Sequence, residues 1–385
     1  MLRRKFREKS NMASIKHNTD FVLDNFLEAE VKTILLPLYV AQCLSLAPKY
    51  SIRDNFITSN GHKFNAFVFL CAILIGMTWI FSIPNFLTKT AGLLTASAYI
   101  YCIIIVLALT LNAFITTRQS NINAYFIILL QRILKRFMFV KIDNRGITIV
   151  NWLYLILVIG CNIAHFGARI LEVDGDITTK IFTHLIYLSI DCNNIIAIRM
   201  IHFLGKLIET WISELEHFCR VNCFDSEAKD SMNKIIIGYE ELIEAVNVCN
   251  KVFRVPIFFT VLTSFFQVFV NVQSAIYMPV WIKSMYVGQI IWIKNFTLLA
   301  ILCMESENIH LNVKNAQVTR IVLTASETTT DLSQLGHRQS QSAHCAGRAE
   351  WLRAAGLFPV DAALPPRFFS VLATYVIVIL QFQFQ

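Results

Sequence analysis

The chain is poor in charged residues and in the residues that interrupt helices. Only 16% of its 385 residues are charged, and it has 13 glycines and 8 prolines, whereas 55% of its residues are hydrophobic. Soluble globular domains carry roughly a quarter charged residues, and disordered chains have few apolar ones. This composition excludes both classes and predicts a polytopic membrane protein.

The chain also lacks the motifs of common enzymes. It has no glycine-rich phosphate loop and no nucleophile elbow, and His217, Cys219 and Cys223 lack the other ligands of a zinc site. The net charge of +8 is explained by basic loops beside a membrane rather than by nucleic-acid binding. We therefore predict a protein that is not an enzyme, with no cofactor, no bound metal and no nucleic-acid partner.

Apolar runs of about 20 residues predict seven transmembrane helices and an all-α fold. The predicted spans are residues 64–86, 92–116, 147–169, 179–204, 252–275, 283–304 and 367–385. The stretch 31–47 is shorter and contains Pro37, so we predict an interfacial or dipping segment there. No signal peptide is recognisable at the start of the chain, and the first span should act as the insertion signal.

The distribution of Lys and Arg predicts the orientation. Residues 1–63 contain ten of them, and residues 117–146 contain six against one acid. Because cytoplasmic loops are enriched in basic residues, the N-terminus should be cytoplasmic and the C-terminus extracellular. The predicted regions are a cytoplasmic start (1–63), spans one to four (64–204), a cytoplasmic linker (205–251), spans five and six (252–304), a cytoplasmic segment (305–366) and span seven (367–385).

The linker between spans four and five has helical periodicity. Apolar residues continue beyond span four, and a second apolar face lies on residues 235–249. We predict two helices that pack against each other below the membrane. The glutamates around them, including Glu241 and Glu244, are interpreted as a solvated face.

The last span carries polar residues in apolar surroundings. Thr374, Val378, Gln381 and Gln385 share one stripe of a helix. Polar side chains are costly in hydrocarbon unless they meet protein or water. The stripe therefore predicts a lumen or an interface between helices.

Residues 356–382 resemble the carboxy-terminal signature of insect gustatory receptors. Its core is a Thr-Tyr pair, five mostly apolar residues and a Gln-Phe pair, here Thr374, Tyr375, Gln381 and Phe382. The segment 239–253 is similarly reminiscent of the wider insect chemoreceptor superfamily. Residues 328–353 depart from the pattern, because they lack apolar periodicity where the family has a helix.

The resemblance implies a tastant-gated, non-selective cation channel in the plasma membrane of a sensory neuron. Four subunits, identical or mixed with other gustatory receptors, would place their last helices around a central pore within the lipid. Gln381 would form a ring of neutral amides that replaces part of an ion's hydration shell, beside Phe382 as a gate. The chain looks most similar to the divergent receptors for bitter or plant secondary compounds.

The resemblance also implies a tastant site in the outer half of the bundle. Hydroxyl, amide and aromatic groups in an apolar cavity suit a small organic ligand. Asp191 is the most costly of these groups, and the adjacent Asn193 and Asn194 suggest a polar network around it. The candidates are Tyr99, Tyr101, Asn162, His165, Tyr187, Asp191, Gln267, Asn271 and Tyr286.

Three other functions fit parts of the sequence. A secondary transporter is the main alternative, although no repeated half is visible. A G-protein-coupled receptor has the same span count but the opposite orientation. A membrane haem protein could use His165 and His184, but His202 lacks an evident partner at the inner level.

Overall fold

A computed structural model describes residues 25–45, 48–82, 92–136, 144–170, 177–221, 226–277, 283–328 and 352–383. These residues are almost entirely helical. The helices are α1 (Ala29–Leu44), α2 (His62–Ser82), α3 (Gly92–Arg118), α4 (Ser120–Arg136), α5 (Asn144–Ile170), α6 (Ile177–Val221), α7 (Ser226–Tyr277), α8 (Lys283–Thr328) and α9 (Leu364–Gln383). Two short antiparallel hairpins lie between helices. Strands β1 (Ser51–Arg53) and β2 (Phe56–Thr58) form the hairpin before α2, and β3 (Arg353–Ala354) and β4 (Phe358–Pro359) form the hairpin before α9.

Each of the seven predicted spans falls on one of these helices, apart from residues 83–86 and 384–385, which lie outside the described residues. Five helices contain a stretch long and apolar enough to cross a membrane: His62–Ile80, Thr95–Arg118, Arg145–Ile170, Lys180–Phe218 and Lys234–Ser274. A shorter apolar helix covers Leu364–Val378. Large apolar side chains such as Phe67, Leu74 and Leu157 face outward, as expected for a surface in contact with lipid.

Three of the helices are much longer than a bilayer requires. Helices α6, α7 and α8 contain 45, 52 and 46 residues, whereas about 20 residues span the hydrocarbon core. Their extensions pack together, with the rings of Trp211 and Tyr239 5.0 Å apart and the Trp211 indole donating to the Ile235 carbonyl at 2.9 Å. The two helices predicted for the linker are therefore present as continuations of α6 and α7.

Helix α1 corresponds to the predicted interfacial segment, residues 31–47. It packs against α5 and α6, and Ile34 and Leu38 are buried in the main core. The Ser189 hydroxyl of α6 donates to the Ser45 carbonyl at 2.6 Å. Residues from α5 and α6 therefore bond one side of α1 and its C-terminal end, while Thr33, Leu36 and Cys43 on the other side are exposed.

Helix α4 lies inside the basic segment 117–146, where only a cytoplasmic loop was predicted. Its apolar face is buried against α7 and β2. The Arg136 guanidinium makes two hydrogen bonds to the Glu241 carboxylate, at 3.0 and 2.9 Å, and the Tyr125 hydroxyl donates to Glu244 at 2.6 Å. The interpretation as a solvated face is wrong for Glu241, whose side chain is only 13% exposed beside α4, whereas Glu244 is exposed, as that interpretation predicts.

The β3–β4 hairpin precedes α9 and fixes its start. Gly356 closes the hairpin with φ of 81°, a conformation that glycine adopts without steric cost. The amide of Ala355 donates to the Arg254 carbonyl of α7 at 2.9 Å, and the amide of Ala362 donates to the Glu307 carboxylate of α8 at 2.8 Å. The irregular segment predicted at residues 328–353 lies, apart from its ends, outside the described residues.

Candidate functional site

A buried charge pair joins three helices of the bundle, α5, α6 and α8. The Asn162 amide of α5 donates to Asp191 Oδ2 of α6 at 2.7 Å. Lys294 of α8 forms an ion pair with the same oxygen. The Asp191 side chain is 3% exposed and that of Lys294 is 12% exposed, so the ammonium is the more accessible member. The sequence analysis identified Asp191 as a candidate residue but did not identify Lys294 as its partner.

The predicted network of Asp191 with its neighbours Asn193 and Asn194 is wrong. Asn193 donates to the Ser189 carbonyl one turn earlier, and Asn194 accepts a hydrogen bond from Thr260 of α7. Side chains adjacent in a helix point in different directions, so the two asparagines face other helices. The partners of Asp191 instead come from α5 and α8.

Four aromatic and imidazole side chains lie beside the charge pair. The hydroxyl oxygens of Tyr101 (α3) and Tyr187 (α6) are 3.2 Å apart, and the ring centroids of His165 and Tyr187 are 6.2 Å apart. His165 Nδ1 lies 3.3 Å from Nδ1 of His184. Together with Asn162 and Asp191, these residues place five of the predicted ligand candidates in one region.

The remaining candidates are Gln267, Asn271, Tyr99 and Tyr286. Gln267 accepts a hydrogen bond from Asn295 of α8 at 2.6 Å, and the amide nitrogen of Asn271 is buried without a partner among the described residues. Tyr99 is half-buried and packs on the apolar cluster between α2 and α3. The side chain of Tyr286 lies outside the described residues. Tyr99 therefore shares an apolar cluster with Tyr101 and Tyr187, whereas no contact described above joins Gln267 or Asn271 to the charge pair.

A small cavity with polar and apolar walls lies between α3, α6 and α7. It was not predicted from the sequence. It has a volume of about 20 Å³, which is room for one water molecule. The side-chain oxygens of Asn112 and Asn193 are buried on its wall without a hydrogen-bond partner among the described residues. The signal in the sequence was the presence of several asparagines within apolar runs, at positions 112, 193 and 194.

Helix α9 has two different faces. Phe368 and Leu372 are buried against α7 and α8, and Tyr375 continues this face, with its ring stacked on Phe269 at 4.0 Å. The predicted stripe of Thr374, Val378 and Gln381 is exposed. The side chain of Phe382 and residue Gln385 lie outside the described part of the chain.

The Tyr375 side chain links α9 to the rest of the bundle. The Gln273 amide of α7 donates to the Tyr375 hydroxyl oxygen at 2.6 Å. The Ser97 hydroxyl of α3 donates to the amide oxygen of the same glutamine. The tyrosine of the carboxy-terminal signature therefore lies at the end of a hydrogen-bond chain that crosses three helices.

The fold is similar to that of solved receptors. The insect olfactory receptor OR5 from Machilis hrabei is 13% identical, with a TM-score of 0.60 over 90% of this chain and 97% of that chain. The same receptor in complex with eugenol is 14% identical, with a TM-score of 0.55 over 94% and 99% of the two chains. No family model matches the sequence, and no curated protein matches it. The all-helical arrangement of this chain is therefore the fold of insect olfactory receptors.

Proposed function

We propose that the chain is a subunit of a ligand-gated, non-selective cation channel, and that it serves as an insect gustatory receptor. The observation that carries the proposal is the combination of an olfactory-receptor fold over 90% of the chain with a last helix that exposes Thr374, Val378 and Gln381. The Thr-Tyr and Gln-Phe pairs of that helix support the gustatory assignment.

The two faces of α9 suit a pore-lining helix. Its buried face fixes the helix on α7 and α8 through Phe368, Leu372 and Tyr375. Its opposite stripe is free to meet other copies of the chain or a homologous subunit. Four such stripes around one axis would place four Gln381 amides together, which coordinate cations without a strong charge preference. Phe382 beside them is proposed as the hydrophobic gate.

The charge pair and its neighbours suit a ligand site. Eugenol is the ligand of a receptor with this fold, and we propose that a small organic tastant binds among α3, α5, α6 and α8 here. The Tyr101 and Tyr187 hydroxyls and the Lys294 ammonium offer hydrogen bonds within apolar walls. We propose bitter or plant secondary compounds as the ligand class, and the plasma membrane of a sensory neuron as the location.

Currents from cells that express the chain test the proposal. Sugars, plant alkaloids and plant glycosides are applied in turn, and the reversal potential of any evoked current is measured in solutions of different cations. In the Gln381→Glu variant, four added carboxylates should raise the permeability to divalent cations relative to sodium, and Gln381→Ala should change block by large cations.

The matched control is Tyr375→Phe, because this residue lies on the buried face of the same helix. It should change the size of the current but not its reversal potential. Unchanged permeation in both Gln381 variants would remove that residue from the pore. If no compound of the panel evokes a current, either in cells that express this chain alone or in cells that also express other gustatory receptors, the receptor assignment is contradicted.

A further inference from the structure

Two histidines face each other near the outer ends of α5 and α6. His165 Nδ1 and His184 Nδ1 are 3.3 Å apart, and the ring centroids are 4.4 Å apart. Both residues are buried, and His165 Nε2 has no hydrogen-bond partner among the described residues. Neither ring is bonded to a carboxylate through the described contacts, and an aromatic ring packs edge-on against each of them, Tyr187 against His165 and Phe166 against His184.

The separation of the two nitrogens fits a transition metal. A zinc ion with bonds of about 2.0–2.1 Å to two imidazoles at a tetrahedral angle requires nitrogens roughly 3.3 Å apart. The observed separation has this value without any movement of α5 or α6. Only the rings must tilt, so that both lone pairs point to one side of the line between the nitrogens. The hydrogen now between the two Nδ1 atoms would move to Nε2 of the ring that donates it, so that both imidazoles stay neutral and both Nδ1 lone pairs are available to the metal.

We propose that His165 and His184 form a binding site for Zn²⁺ or Cu²⁺, with water completing the coordination. Imidazole nitrogen is a preferred ligand of both ions. No group of three or more His, Cys, Asp or Glu side chains suited to a metal occurs among the described residues. A site with two protein ligands exchanges its metal readily, which suits modulation by an ion from outside the cell rather than a structural role.

The electrostatic surroundings agree with a reversible site. Arg169 and Lys294 act on the two histidines as nearby positive charges, and Asp191 compensates Lys294 through its ion pair. Tyr187 is the other titratable group beside His165. The site has two neutral imidazoles and no anionic ligand, so it binds a dication more weakly than a zinc site with carboxylate or thiolate ligands.

The position of the site gives metal binding a mechanical effect. Tyr187 lies one turn after His184 on α6 and one turn before Asp191, on the same side of the helix. A metal bridge would hold α5 and α6 together beside the region proposed for the organic ligand. Zinc should therefore oppose any separation of these helices and reduce evoked currents, although its binding does not depend on channel function.

Zinc binding by the purified full-length protein tests the proposal. Competition with a fluorescent zinc indicator should reveal one saturable site per chain. His165→Ala and His184→Ala should each lower its affinity at least about tenfold, because one of two protein ligands is lost. His62→Ala, at an exposed histidine near the start of α2, should leave it unchanged. Mg²⁺ and Ca²⁺ should not compete, since they prefer oxygen ligands.

A further variant tests whether the alanine variants lose zinc binding because they misfold. His184→Cys keeps a metal ligand and should retain zinc binding, with a shift in preference toward softer cations such as Cd²⁺. Zinc at a free concentration about ten times its dissociation constant should also raise the melting temperature of the unmodified protein, by about 2 °C or more. Equal affinity in the unmodified protein and both alanine variants, or no saturable binding at all, would overturn the proposal.

Discussion

The Asp191–Lys294 pair provides the sharpest test of the energetics of the candidate ligand site. In the Asp191→Asn variant the Lys294 ammonium remains in a mostly buried site without a compensating charge. Removal of one member of a buried ion pair costs about 3–5 kcal/mol in unfolding free energy. The lower end applies here, because Lys294 is 12% exposed and the introduced amide still offers it an oxygen. We expect a loss of about 3 kcal/mol.

The double variant Asp191→Leu/Lys294→Met distinguishes the interaction between the two charges from the contribution that each residue makes alone. Replacement of both partners by apolar residues of similar size is often neutral or stabilising, because neither charge must be desolvated. The double variant should therefore be more stable than either Asp191→Leu or Lys294→Met alone. The Asn162 amide loses one of its two acceptors in this variant and keeps the Val158 carbonyl, which offsets part of the gain.

Thermal melting of the purified protein, followed by size-exclusion fluorescence, measures these differences. Asp191→Asn should lower the melting temperature by roughly 5 °C. Lys206→Gln is the control, because it removes a pair with Glu209 whose side chains are about half exposed, and exposed pairs contribute under about 1 kcal/mol. Additive losses in the double variant would refute the reasoning, since they would mean that the two charges do not interact.

Three further predictions follow from other contacts. Tyr375→Phe should lower stability by about 1–2 kcal/mol, because the buried Gln273 amide loses its acceptor, whereas Thr374→Val on the exposed face should not. Burial lowers the pKa of the Lys49 ammonium from 10.5 to about 8. Between these values the unfolded chain binds a proton that the folded chain does not, so stability should rise with pH across this window. Lys49→Met should be more stable at pH 7 and lack that rise; parallel pH profiles for the two proteins would contradict this. An epitope tag after Gln385 should be stained on intact cells and an amino-terminal tag should not; the reverse pattern would refute the predicted orientation.

Much of the fold could be predicted from local patterns. A run of about 20 apolar residues needs no distant partner to specify a membrane helix, because a helix satisfies its own backbone in hydrocarbon. The linker helices were likewise visible in their periodicity, which places Trp211 and Tyr239 on facing sides. Helix α4 was not predicted, because residues 117–146 were interpreted only through their basic residues as a cytoplasmic segment. The apolar residues of this segment also repeat at helical spacing.

The candidate site was only partly predictable. Polar residues in apolar runs identified Asp191, Asn162 and the histidines, because such residues are costly unless partnered. The partners themselves were not visible: the predicted asparagine network around Asp191 is wrong, and Lys294 lies 103 residues away along the chain. Gln273, which bonds the signature tyrosine from α7, was also not singled out.

The sequence by itself therefore determined that the chain is helical and suited to a membrane, where its long helices lie, and which polar residues would need partners. These properties follow from the composition and period of short segments. Only the tertiary structure decided which residues became partners: Asp191 with Lys294, His165 with His184, Arg136 with Glu241, and Tyr375 with Gln273. Each pair joins different helices, and its geometry depends on how those helices pack against each other, which no single segment encodes.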